Sequence, residues 1–154
     1  MQQNFKNLFP NLPGSSRVWT YLCNRALSSK EVNEVQLELN LFTKSWKAHQ
    51  KQLNASANII YDQYVVFAVD ESAAEITGCS IDASVHFMKT LQEKISADFF
   101  NRMNVLVRVG SANKPISYND LENYRGESVF NPRIDRLEQL RENWLVKITN
   151  APFF

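Results

Sequence analysis

Residues 69–86 read VDESAAEITGCSIDASVH, and the way this stretch is parsed decides the fold. It begins at the end of YVVFAV (residues 64–69), an apolar run of β-branched and aromatic residues expected of a strand buried on both faces, which stops at Asp70. A helix is expected to open near Ser80, because Ile81, Val85, Met88, Leu91 and Ile95 recur on one side at helical spacing. The junction collects Asp70, Glu71, Cys79, Ser80 and Asp82 into one polar passage, the kind of connection on which folds expose working groups.

On the amino-terminal side, RVWTYLC at residues 17–23 reads as a first strand. Ser28-Ser29-Lys30-Glu31 has the form of a capping box, and Val32, Val35, Leu39, Phe42 and Trp46 then line one side of a long helix. A second strand is expected over Ala55–Tyr61, joined through Asp62-Gln63 to the strand Tyr64–Asp70, although that dipeptide is a weak hairpin signal. A fourth strand follows at Asn104–Val109. Beyond Gly110, Ser117 caps a short helix through Tyr124, Pro132 precedes a helix carrying Ile134, Leu137, Leu140 and Trp144, and Leu145–Thr149 offers a further strand. Residues 1–16, broken by Pro10, Pro13 and Gly14, read as a peripheral arm pinned by Phe5, Leu8 and Phe9, and residues 17–154 as a single α+β domain.

The order β-α-β-β-α-β points to a ferredoxin-like sandwich with a helical and strand extension at the C-terminus. Strands one and three are expected side by side and parallel at the sheet centre, with both helices on one face. The other face needs a cover, either the C-terminal tail or a second subunit, and a homodimer is the expectation.

In that topology the ends of strands one and three emerge at the same rim, beside the amino ends of both helices. Asn24, Arg25, Asp70, Glu71, Ser80 and Asp82 are then expected to surround a small anionic ligand, which unpaired helix amides and a guanidinium suit. Cys79 becomes a candidate catalytic nucleophile, since a helix amino end and a nearby Arg25 favour the thiolate. A plainer account is open beside it: Ser80 as N-cap, Asp82 in the first helical turn, Arg25 paired with Asp70 or Glu71, and Cys79 a small packed side chain. Asp82 and His86 are four apart but lie opposite Ile81, Val85 and Met88, on the expected solvent side.

Composition limits the partners. With 154 residues, 44% hydrophobic and 21% charged, the chain has the make-up of one globular domain. Seventeen basic against sixteen acidic residues leave +1, which gives no electrostatic footprint for nucleic acid or an anionic membrane. Cys23 and Cys79 belong to no CxxC pair, so no disulfide framework, metal site or cofactor is indicated, and reduced thiols in the cytoplasm are expected. The amino terminus lacks the pattern of a signal peptide, and the longest apolar run is too short to span a bilayer. GxxxxGK[ST], HExxH and GxSxG are all missing.

SRVWTYLCNRALS (residues 16–28) and AVDESAAEITGCSIDASVHF (residues 68–87) resemble a family of short uncharacterised Bacteroidetes proteins, and the similarity extends over nearly the whole chain. Members of that family often carry the label ABC transporter ATPase, which the missing Walker A motif and the short chain contradict here. The resemblance implies no activity and no functional residues to carry over. A cytoplasmic binding or interaction domain is the leading expectation, with a thiol-dependent enzyme using Cys79 as the alternative.

Overall fold

The computed structural model describes residues 5–150. Their order is β1 (Arg17–Leu22), α1 (Ser29–Ser45), β2 (Lys47–Ala48), β3 (Lys51–Gln52), β4 (Asn54–Ile60), β5 (Tyr64–Asp70), α2 (Gly78–Ile95), β6 (Asn104–Val109), β7 (Ala112–Ser117), β8 (Ser128–Phe130), α3 (Leu137–Asn143) and β9 (Leu145–Lys147). The first four residues of the expected arm and the last four of the expected domain lie outside the described residues.

The strands form a three-stranded sheet, β1-β5-β4, a four-stranded sheet, β7-β6-β8-β9, and the small β2-β3 hairpin. The chain is thus α+β, but its strand order differs from the ferredoxin-like expectation. Strands one and three, here β1 and β5, are neighbours and run antiparallel, with Arg17 opposite Val69 and Leu22 opposite Tyr64. The direction follows from counting reversals. α1 carries the chain down the sheet, β4 carries it back alongside the direction of β1, and a tight turn then sends β5 the other way, between them. The expected fourth strand, β6, pairs with β7 and β8 in the second sheet and, among the described residues, no strand lies beyond the outer side of β1.

The local signals explain the helices. Ser28 Oγ accepts from the Glu31 amide at 3.2 Å and the Glu31 carboxylate accepts from the Ser28 amide at 2.9 Å, the reciprocal pairing that starts α1. Val35 and Leu39 are fully buried on its inner face. α2 starts two residues before Ser80, with Thr77 as its N-cap accepting from the Ser80 amide. α1 ends at Ser45, and His49 sits in the β2-β3 turn with φ 50°.

Three layers result. The helices cover one face of the first sheet through Tyr21, Val35, Leu39, Trp46, Phe67 and Met88. Its other face, carrying Val18, Leu22, Tyr64 and Val66, packs on Phe5, Phe9 and Leu12 of the arm, Leu106 and Phe130 of the second sheet, and Leu137, Leu140 and Trp144. The chain's own ends therefore cover the face for which a second subunit was the alternative. Burial of each such side chain is worth roughly 1.5–3 kcal/mol, which explains why β6 is drawn into the second sheet: Leu106 fills this core while Val105 and Val107 fill a smaller one behind it. Among the described residues, no helix is long and apolar enough to cross a membrane.

Candidate functional site

Antiparallel pairing divides the expected rim in two. The carboxyl end of β1 lies beside the start of β5, at the turn formed by Tyr61 and Asp62, while Asp70 and Glu71 lie at the opposite end beside Arg17. Asn24 accepts from the Asp98 amide through its side chain, and Arg25 donates to both carboxylate oxygens of Glu31 and to the Ile95 carbonyl. Both residues therefore sit at the carboxyl end of α2. Cys79, Ser80 and Asp82 sit at its amino end, about 20–24 Å away at about 1.5 Å of rise per residue. The expected convergence of Arg25 with Asp70, Glu71 and Cys79 does not occur.

Each remaining member of the set has a local task or an open setting. Ser80 is buried, its hydroxyl donating to the Lys47 carbonyl at 2.8 Å and its carbonyl accepting from Trp46 Nε1 at 2.9 Å. Asp70 accepts from the Ser72 amide and from Asn54, which holds its carboxyl below the ordinary range. Glu71 accepts from the Ile76 amide and approaches Arg17 at 3.6 Å. Cys79 and Asp82 are exposed, and among the described residues no hydrogen bond or ion pair involves the Cys79 thiol. Cys23, the other thiol, is fully buried and its pKa is raised by that burial.

A concave surface lies elsewhere, along the open side of β1. A groove of about 480 Å³ is walled by Arg17–Tyr21, by Glu71, Glu75 and Ile76, by Arg102, and by Pro132 with Ile134–Arg136. A smaller chamber of about 200 Å³ shares Thr20, Tyr21, Arg102 and Pro132 with it and adds Leu22, Tyr64, Phe99, Asn101, Asn104 and Arg133. Of the site residues expected from sequence, only Glu71 lines the groove.

The groove is electrically graded. Among the described residues, the smaller chamber is lined by two arginines, Arg102 and Arg133, and by no acidic residue. The wide end adds Glu71, Glu75 and Asp135 to Arg17 and Arg136. Arg17 is engaged by Glu71 and lies 5.0 Å from the Trp19 ring centre, whereas Arg102, Arg133 and Arg136 form no ion pair among the described residues. Arg102 rests 5.9 Å from the centre of the Tyr21 ring. Its charge opposes, without cancelling, the upward push that burial exerts on the phenols of Tyr21 and Tyr64.

Backbone groups complete the wall. The Val18 amide donates to the Asp135 carbonyl, so even-numbered residues of β1 direct their amides and carbonyls away from β5. Beyond the short bridge between Arg17 and Arg136, Thr20 and Leu22 have the groove on that side and, among the described residues, no further strand. Comparison with family models, with curated proteins and with solved structures returned no match.

Proposed function

We propose that this chain is a binding domain whose ligand lies in the groove beside β1 and carries at least one carboxylate or phosphate group at the Arg102–Arg133 end. One observation carries this reading: two arginines that form no ion pair among the described residues, Arg102 and Arg133, line a chamber together with Asn101, Asn104 and the open edge of a strand. A guanidinium pair supplies charge and forked donors, the outward amides of Thr20 and Leu22 supply fixed ones, and an oxyanion accepts from both. The expected anionic ligand is thereby kept, and its place moves from the end of the strand to its side. Unpaired cysteines are in keeping with a cytoplasmic setting.

Titration of isotopically labelled protein with N-acetylglycine and, separately, with inorganic phosphate tests the site. Amide shifts are expected at Thr20, Leu22, Arg102 and Asn104, and are expected to vanish in the Arg102→Ala, Arg133→Ala double variant. Shifts that cluster around Arg25 or Cys79, or that survive in the double variant, contradict it.

A further inference from the structure

Resting on that reading, we propose that the groove takes the free carboxyl end of an extended polypeptide, which adds to β1 as a short extra strand. The first support is the strand edge. Thr20 and Leu22 are about 7 Å apart on the same side of β1, so together they present two amides and two carbonyls at the repeat of a partner strand. The neighbouring slot is unfilled by β6, which lies in the other sheet.

The second support is the order of charges. An occupant whose terminal carboxylate meets Arg102 and Arg133 runs toward the end of the groove where three carboxylates, Glu71, Glu75 and Asp135, stand against two guanidiniums, Arg17 and Arg136. A chain terminus supplies both features at once: one fixed negative charge at its end, and upstream side chains that can be basic. The bridge from Arg17 to Arg136 closes the strand edge beyond Val18, so only two or three terminal residues pair with β1 before the peptide leaves past Glu75. The 200 Å³ chamber has room for the carboxylate and a small last side chain.

The full chain is screened against a random hexapeptide library with free carboxyl ends and against the same library as C-terminal amides, with N-acetylglycine titrated in parallel. Enrichment is expected only from the free-carboxylate library, with Lys or Arg favoured upstream. Two variants refine the test. Thr20→Pro removes an outward amide that no neighbouring strand uses, and an edge position tolerates proline; it is expected to weaken the enriched peptides and N-acetylglycine alike, roughly tenfold. Arg102→Ala with Arg133→Ala is expected to abolish both. Binding of N-acetylglycine with no peptide enriched, or with amides enriched equally, overturns the peptide and leaves the anion site standing. Failure of N-acetylglycine and of the free-carboxylate library together overturns both.

Discussion

Arg25 donates to the main-chain carbonyl of Ile95 at 2.9 Å, closing the last turn of α2. The same guanidinium grips both oxygens of Glu31 near the start of α1, at 2.9 and 2.7 Å, so one side chain ties the end of one helix to the beginning of the other. A cation at a helix carboxyl end is favourably placed with respect to the helix dipole. Arg25 is thus a structural clasp, and its removal is expected to lower the melting temperature by several degrees without altering N-acetylglycine binding. A loss of that binding in Arg25→Ala would contradict the assignment of the groove.

The clasp has a pH signature. Hydrogen bonds from Arg25, then from Ser28, lower the Glu31 carboxyl from its ordinary 4.5 to about 2. A group held lower in the folded state stabilises it fully above its unfolded pKa, and that contribution is lost as the pH falls toward the folded value. The stability advantage of the native protein over Glu31→Gln is therefore expected to be complete above about pH 4.5 and to disappear between there and pH 2. Urea unfolding at a series of pH values reads it. An advantage independent of pH over that window would be inconsistent with the pairing.

The turn between β4 and β5 stores strain that can be released. Tyr61 and Asp62 have φ of 56° and 60°, with the Gln63 amide donating to the Ile60 carbonyl, a mirror-image turn normally built with Asn-Gly. Tyr61 is held by packing against Phe5 and Phe130 and by Arg108, whose guanidinium lies 5.2 Å from the Tyr61 ring centre. Asp62→Gly keeps those contacts and is expected to stabilise the fold by about 0.5–1 kcal/mol, seen as a higher urea midpoint. An unchanged or lower midpoint would show that the turn is unstrained.

Gln36 covers the outer edge of β4. Its amide nitrogen donates to the Ala57 carbonyl and its oxygen accepts from the Ile59 amide, occupying groups that would otherwise invite a foreign strand. Gln36→Ala is expected to cost about 1 kcal/mol and to promote self-association at high concentration, measured by light scattering. A variant that stays dispersed would place the protection of this edge elsewhere.

Arg141 fixes the N-terminal arm by donating to the carbonyls of Leu8, Phe9 and Leu12 at 2.8–3.3 Å. Hydrogen bonds from a charged donor justify an expected loss of about 2 kcal/mol in Arg141→Met. Amide exchange in the arm should rise before that of β5, and uniform acceleration across the chain would argue against a locally anchored arm.

The helices and the strands of the first sheet were legible because each carries a period and an end signal: the capping box at Ser28, the inner face of Val35 and Leu39, the apolar run in β5. The hairpin was misplaced by one residue, since Tyr61-Asp62 owes its conformation to Phe5, Phe130 and Arg108 and not to turn-forming side chains. β7 carries no strand signal in the sequence because Pro115 interrupts its short pattern, which an edge strand tolerates. The parallel pairing of strands one and three was an error of direction, and the imagined rim followed from it. The groove itself had no local signal: Arg17, Arg102, Arg133 and Arg136 come from three separate segments, joined only by the packing of Leu106, Phe130 and Leu137 beneath β1.

Amide hydrogen exchange along β1 examines the open edge most directly. Trp19 and Tyr21, which face β5, are expected to exchange slowly, and Thr20 to exchange much faster in the free protein and to slow when N-acetylglycine is added. A Thr20 amide as protected as that of Tyr21 before any addition, or indifferent to the carboxylate afterwards, would contradict a binding groove at this strand.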